Sequence, residues 1–208
     1  MSTAVIVYHG TMGRWEPDAR GRLAKAALEL YSERGFERTT VEEIAKRAGL
    51  TERTFFRHFA DKREVLFWGA SALEKQLLRA VDAAPASFPA IDAVGSALEA
   101  IAVDFQGRRD YARQRQTIIT ANADLQERER IKLASLASAL ADGLRRRGVA
   151  GSTAILAGEL GVAVFRVAFE RWIDEANQQD FSAIIRASLA ELKTVTAGVA
   201  PTAIAKVR

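Results

Sequence analysis

The sequence predicts an all-α protein in which a short three-helix unit precedes a larger helical region. Three observations support this prediction. Apolar residues recur at helical spacing after residue 18, and strand-like alternation is confined to Ala4–Tyr8. Helix start and stop residues divide the first third of the chain into short segments. The 208 residues include only four prolines, which leaves room for long uninterrupted helices.

The first helix is predicted by apolar residues at positions i, i+1, i+4, i+5 and i+8, which lie on one face of an α-helix. These residues are Leu23, Ala24, Ala27, Leu28 and Tyr31. Gly35 follows the last of them and is a typical residue after a helix end, because glycine adopts the left-handed conformation without strain. The prediction is therefore a helix that ends just before Gly35.

Two shorter helices follow, each with a threonine at its start. Thr40 has Glu43 three residues later, which is the pattern of a capping box. The residues expected to face inward are Val41, Ile44, Ala45 and Ala48. Gly49 ends this helix, and Thr51 begins the next, in which Phe55 and Phe59 share a face. Short helices joined by a glycine-containing turn predict a helix-turn-helix unit.

The rest of the chain is predicted to be helical as well. Asp61 is expected to cap a fourth helix that runs from Lys62 to about Val81, before a Pro/Ala/Ser connector at 83–89. Five further helices are expected at 91–106, 110–120, 124–147, 153–176 and 181–196.

Composition excludes several classes of protein. The chain has no cysteine, which removes disulfides, thiolate metal sites and cysteine nucleophiles. Its two histidines, His9 and His58, do not belong to any metalloprotease, hydrolase or phosphate-loop motif. We therefore expect no catalytic site, no metal and no cofactor. No signal peptide or membrane span is evident, so a soluble cytoplasmic protein is expected. The net charge of +4 permits a nucleic-acid partner without indicating one.

The segment Thr39–Leu66 closely resembles the DNA-binding region of the TetR family of bacterial repressors, and the similarity extends upstream through Ala26–Phe36. One departure is Phe56, where the family usually has tyrosine. The resemblance implies an N-terminal helix-turn-helix DNA-binding domain and a C-terminal helical domain for effector binding and dimerisation. The expected bounds are a flexible arm at 1–17, the DNA-binding domain at 18–65, the second domain at 66–197 and a tail at 198–208.

The candidate DNA contacts lie on the second helix, the third helix and the turn after it. They are Thr40, Thr51, Glu52, Arg53, Phe56, Arg57, His58 and Lys62. Arg53 and Arg57 lie one turn apart, and arginine pairs bidentately with guanine in the major groove. Lys62 at a helix start opposes the helix dipole, which favours a phosphate partner for it. Glu52 either accepts from cytosine or pairs with a neighbouring arginine, and His58 either contacts a phosphate or stabilises the turn.

The C-terminal region suggests a dimer. Ala157–Ile173 is apolar nearly all round, and such a helix needs partners on several sides. Together with the stripe of the last helix, it predicts a two-fold four-helix interface that includes Val164, Ile185 and Leu189. A helix buried within a monomer is the alternative.

A small-molecule pocket is also expected in this region. Its candidate residues are Trp68, Phe105, Arg109, Tyr111, Arg113, Ile118, Phe165, Phe169 and Trp172. The run around Arg113–Arg128 resembles a sub-group of actinobacterial regulators that sense acyl-CoA-like ligands. Arginines beside aromatic residues favour an acyl-CoA or fatty acid as the effector, although a solvated basic helix face and an ordinary core give the same pattern.

The sequence thus predicts a homodimeric regulator that represses transcription from a palindromic operator and is released by the effector. The alternative is a constitutive DNA-binding dimer without an effector, in which the core of the second domain is filled.

Overall fold

A computed structural model of the chain describes residues 18–198, and every regular element in that range is a helix. The expected N-terminal arm and all of the expected tail except Gly198 lie outside the described residues. The α-helices are α1 (Ala19–Arg34), α2 (Val41–Arg47), α3 (Glu52–His58), α4 (Ala70–Ala83), α5 (Ala90–Ala102), α6 (Arg109–Thr120), α7 (Ala123–Arg146), α8 (Gly151–Ile173) and α9 (Phe181–Thr196). Short 3-10 helices occupy Glu64–Phe67 and Val103–Phe105. The all-α prediction is confirmed.

Helices α1, α2 and α3 have the start and stop signals that the sequence predicts. Gly35 follows α1 with φ of +89°, a conformation that favours glycine. The Thr40–Glu43 capping box begins α2, and the Thr51 hydroxyl accepts from the amide of Thr54 at the start of α3. Phe55 is fully buried between the three helices. The helix-turn-helix unit is therefore specified mainly by local signals.

The prediction of one helix from Lys62 to Val81 is wrong. Asp61 does cap a turn, since Oδ1 accepts from the amides of Arg63 and Glu64 at 2.8 and 3.2 Å. That turn continues as a 3-10 helix and stops, and α4 begins only at Ala70. The break has a packing cause. Three consecutive apolar residues, Val65–Phe67, are all buried in the N-terminal core, whereas α4 buries its own stripe in the second core.

The second core is enclosed by α4, α5, α7, α8 and α9. Helix α8 passes close to its neighbours at two glycines. A Cβ on Gly158 would lie 2.5 Å from the carbonyl oxygen of Ala137 in α7, and one on Gly161 would lie 2.4 Å from Val94 in α5. By length and composition alone α8 could cross a membrane, but 44% of its apolar window is buried inside this chain. Burial on two sides fits the central helix of a helical domain.

The turn between α6 and α7 belongs to the N-terminal core. Ile118, Ile119 and Leu125 lie at this turn and are 7%, 0% and 0% exposed, packed with residues of α1–α3. The other ends of α6 and α7 contribute to the second core. Both helices therefore span the two cores, and the DNA-binding unit expected at 18–65 includes side chains from far beyond residue 65.

Candidate nucleic-acid interface and effector region

Helix α3 presents a polar face to the solvent. Phe55 and Phe59 turn inward, while Glu52, Arg53 and Arg57 are exposed. Phe56 is 55% exposed, an unusual place for a phenylalanine that has no hydroxyl to hydrate. Thr51 is exposed as well, and its hydroxyl lies 3.1 Å from that of Thr54. The structure thus brings the predicted base-contacting residues onto one outward face of α3.

The start of α2 is held by reciprocal hydrogen bonds. The Thr40 amide donates to Oε2 of Glu43 at 2.9 Å, and the Glu43 amide donates to the Thr40 hydroxyl at 3.2 Å. The backbone hydrogen bond from Thr40 is the largest of the contacts that lower the pKa of Glu43, to which Arg34 also contributes. In this arrangement the Thr40 hydroxyl has Glu43 as its partner, and Thr40 is exposed at the start of α2.

His58 is half-buried at the end of α3. Its Nε2 atom is buried and has no hydrogen-bond partner among the described residues. Burial, followed by the positive charges of Arg57 and Arg20, lowers the pKa of His58. This shift favours the uncharged imidazole, whose Nε2 atom is shielded from the solvent.

The side chain of Lys62 has hydrogen-bond partners that the sequence does not predict. Its ammonium group donates to the carbonyl oxygens of Phe36, Glu37 and Thr39, at 3.0, 3.2 and 3.1 Å. These three bonds to the loop between α1 and α2 engage the ammonium group for which the sequence predicts a phosphate partner. The acceptors are more than twenty positions away in sequence, so helical pattern cannot reveal them.

Four of the predicted effector residues contact one another in the second domain. Phe105 on the second 3-10 helix lies among Phe165, Phe169, Trp172 and Phe181, with ring centroids 5.1–6.4 Å apart. We call these five residues the aromatic cluster. Phe181, the first residue of α9, was not predicted, because a helix start gives no sign of which core its side chain enters. The rings of the cluster thus bring residues of the second 3-10 helix, α8 and α9 into contact.

Two arginines that are predicted to line the effector pocket instead form hydrogen bonds with the end of α8 and with the loop that joins α8 to α9. The Arg109 guanidinium donates to the carbonyls of Asn177 and Gln179 and lies 5.5 Å from the centre of the Trp172 ring. Arg113 donates from Nε to the carbonyl of Ile173 at 2.8 Å and contacts Glu175. Both side chains therefore fasten this loop beside the aromatic cluster.

The remaining effector candidates lie elsewhere. Trp68 and Tyr111 are 43% and 37% exposed. Ile118 packs in the N-terminal core rather than beside the aromatic cluster, because α6 changes core along its length. Two surface cavities of about 400 and 420 Å³ occur in the described part of the chain, one lined by residues such as Lys25 and Gly49 and the other by residues such as Phe88 and Lys193. Neither is lined by a predicted effector residue.

The predicted dimer residues are mostly covered by their own chain. Val164 and Ile185 are 4% and 0% exposed in the second core, and Leu189 is half-buried. Because α8 is apolar nearly all round, periodicity could not show which side faces inward. Its solvent-facing apolar residues are Ile155, Leu156 and Val167. If a second copy covers α8, these residues are the ones available to it.

Two protein-family models match the chain. "Bacterial regulatory proteins, tetR family" matches residues 23–67, and "MftR C-terminal domain" matches residues 88–197, more than half of the chain. The first covers α1–α3 and the 3-10 helix after them, and the second covers α5–α9. The two matches divide the chain near the connector that precedes α5.

The chain is also similar to individual transcriptional regulators, in sequence and in fold. The transcriptional regulator TcmR of Streptomyces glaucescens is 42% identical over 82 residues, which cover 39% of this chain and only 36% of TcmR. MftR of Mycobacterium tuberculosis is 26% identical over 171 residues, covering 80% of this chain and 85% of MftR. The structure of Thermus thermophilus FadR, a TetR-family repressor in complex with lauroyl-CoA, aligns with a TM-score of 0.53 at 22% identity. That alignment covers 91% of this chain and 99% of FadR, and at this identity it establishes a shared fold.

Proposed function

The chain belongs to the TetR family of transcriptional regulators, and from this premise we propose that it is a cytoplasmic homodimeric repressor of a palindromic operator. The observation that carries the proposal is the outward face of α3, on which Glu52, Arg53 and Arg57 are exposed together. A two-fold dimer offers two such helices to successive major grooves, which requires related half-sites. Arg53 and Arg57 are the proposed contacts to the bases. The residues Thr40, Thr51 and Phe56 are proposed to lie against the sugar-phosphate backbone of the DNA.

Arg53→Ala and Arg57→Ala test this assignment. Each change removes an exposed side chain, so we expect the unfolding midpoint to stay within error of the native value. Loss of a bidentate base contact is expected to weaken operator binding by about 1–3 kcal/mol. Electrophoretic mobility shift with a duplex selected by the native protein measures the difference. Lys25→Ala, an exposed change on α1, serves as the control. Native affinity in both arginine variants would contradict the assignment.

We further propose that a small-molecule effector acts by displacing Phe105. The aromatic cluster is apolar, Arg109 and Arg113 lie beside it, and Arg108 is exposed nearby. An elongated apolar anion such as a fatty acyl-CoA suits both the apolar cluster and the neighbouring arginines. Lauroyl-CoA, the ligand in the FadR structure, is a molecule of this class. An anionic head group would compete with the loop carbonyls for Arg109 and Arg113. Binding would thereby release the loop between α8 and α9 and favour a second conformation.

Thermal unfolding in the presence of lauroyl-CoA tests the effector proposal. A ligand at about 100 times its dissociation constant adds about 2.7 kcal/mol to the free energy of unfolding. We expect this stabilisation to be lost in an Arg109→Ala, Arg113→Ala double variant and kept in Arg130→Ala, which alters an exposed arginine of α7. Stabilisation by a neutral aromatic compound and by no acyl-CoA would overturn the proposed ligand class.

One observation favours a constitutive DNA-binding dimer without an effector as the second candidate. The five rings of the aromatic cluster pack against one another, and neither of the two surface cavities described above is lined by them. This candidate predicts operator affinity that does not change with any acyl-CoA, although the α3 variants still lose binding.

A further inference from the structure

Both the ammonium group and the backbone carbonyl of Lys62 form hydrogen bonds with α1 or with the loop that follows it. Its ammonium group donates to the three loop carbonyls of Phe36, Glu37 and Thr39, and lies 4.4 Å from the centre of the Phe36 ring. Its own carbonyl oxygen accepts from the Tyr31 hydroxyl at 2.7 Å. Tyr31 and Phe36 are 3% and 4% exposed, so both partners are fixed in the N-terminal core.

These bonds connect the two helices that carry the proposed DNA contacts. Lys62 follows the end of α3 by four residues, and the last carbonyl it binds belongs to Thr39, the residue before the Thr40 cap of α2. Thr39 is 1% exposed and donates from its hydroxyl to the carbonyl of Gly35 at 2.9 Å, so the loop itself is packed tightly. The Lys62 ammonium therefore joins the exit of α3 to the entry of α2.

The number of donors decides what this group can still do. An ammonium group has three N–H bonds, and each has a carbonyl acceptor within 3.2 Å. No donor is left over for a phosphate. We propose that Lys62 is a positioning residue for DNA binding, which fixes the orientation of α2 relative to α3 without contacting the DNA. This inference rests on the proposed DNA-binding function.

An arginine at this position separates the two roles. A guanidinium keeps the positive charge and binds phosphate at least as well as an ammonium group does. Its N–H bonds lie in one plane, however, and none of its nitrogens has more than two of them, so it cannot donate a separate N–H from one atom to each of three carbonyls. Lys62→Arg therefore preserves a phosphate contact but removes the link between α2 and α3.

The first experiment compares Lys62→Arg and Lys62→Met with Lys46→Arg, which alters an exposed lysine of α2. Binding to a fluorescein-labelled duplex of arbitrary sequence is measured at low salt, where phosphate contacts dominate, and at a temperature at which circular dichroism shows each variant folded. We expect both Lys62 variants to bind about tenfold more weakly, equivalent to about 1.4 kcal/mol, and the Lys46 variant to bind like the native protein.

Native affinity in Lys62→Arg with weak binding in Lys62→Met would identify a phosphate contact instead. Native affinity in both folded variants would show a role in stability alone. Either result overturns the proposal.

A second measurement is independent of DNA binding. The ¹H–¹⁵N resonance of the Lys62 ammonium group, assigned by its loss in Lys62→Arg, should exchange slowly with water and show couplings to the three carbonyl carbons. It should keep its position when the duplex is added. Exchange as fast as that of the exposed Lys46 would overturn the proposal. If the native protein does not bind the duplex, the proposed function fails, whereas the ammonium resonance still tests whether Lys62 links the exit of α3 to the loop before α2.

Discussion

Ile119→Ala is expected to lower the free energy of unfolding by about 2–5 kcal/mol and to abolish DNA binding at temperatures where the native protein binds. Ile119 belongs to α6, far in sequence from the helix-turn-helix unit, yet it is fully buried in the core beneath that unit. Removing its side chain leaves a cavity that the neighbouring helices cannot fill without moving.

Ile131→Ala is the matched control for this prediction. Ile131 lies on α7 and is 50% exposed, so the same change should alter the unfolding midpoint little. Urea unfolding followed by circular dichroism measures both variants. Equal effects of the two substitutions would show that the turn between α6 and α7 is not part of the N-terminal core.

Polar contacts reinforce the junction at which Ile119 lies. Arg115 of α6 donates from Nε to the carbonyl of Leu66 at 2.7 Å and lies 5.0 Å from the centre of the Phe67 ring. It also contacts Glu129 of α7 at 3.3 Å. Burial lowers the pKa of Arg115, and the Glu129 carboxylate opposes that effect. Arg128 and Lys132 of α7 both contact Glu64. A movement of α6 or α7 in the second domain would therefore reach the segment that directly follows α3.

Leu156→Asp is expected to dissociate the dimer while leaving each chain folded. Leu156 is 62% exposed on α8, so a carboxylate there costs little in the monomer. In a dimer that covers the outward side of α8, the same charge would be buried without a partner, which is strongly unfavourable. Operator binding should fall with dimerisation, because a single recognition helix contacts only one half-site.

Ile185→Asp provides the contrast. Ile185 is fully buried in the second core, so the charge should unfold the chain rather than separate two folded chains. Sedimentation velocity and circular dichroism distinguish the two outcomes. Dimeric Leu156→Asp protein would show that the interface lies on another surface.

Local signals explain which parts of the structure could be predicted. The caps at Thr40 and Thr51 and the Phe55–Phe59 pair act within one or two turns, so α2, α3 and the outward face of α3 follow from the sequence alone. The helices after the connector also lie within a few residues of their predicted bounds, although residues 103–105 form a 3-10 turn. Periodicity was sufficient wherever a helix has one apolar side.

Long-range contacts explain the rest. The acceptors of Lys62 and the core entered by Ile118 are set by residues distant in sequence, and no local pattern encodes them. The break before Ala70 coincides with a change of core, because Val65–Phe67 pack in the N-terminal core whereas Leu77 and Val81 of α4 pack in the second core. The dimer side of α8 could not be chosen because that helix is apolar on most of its circumference.

Selection of duplexes from a random library by the native protein and by Arg57→Ala tests most directly whether the outward face of α3 reads DNA sequence. The native protein should enrich two related half-sites whose centres lie about 10 bp apart, or a multiple of that spacing. Arg57→Ala should enrich the same spacing with relaxed preference at one base pair of each half-site. Enrichment of an identical motif by both proteins, or of no motif by the native protein, would contradict this account.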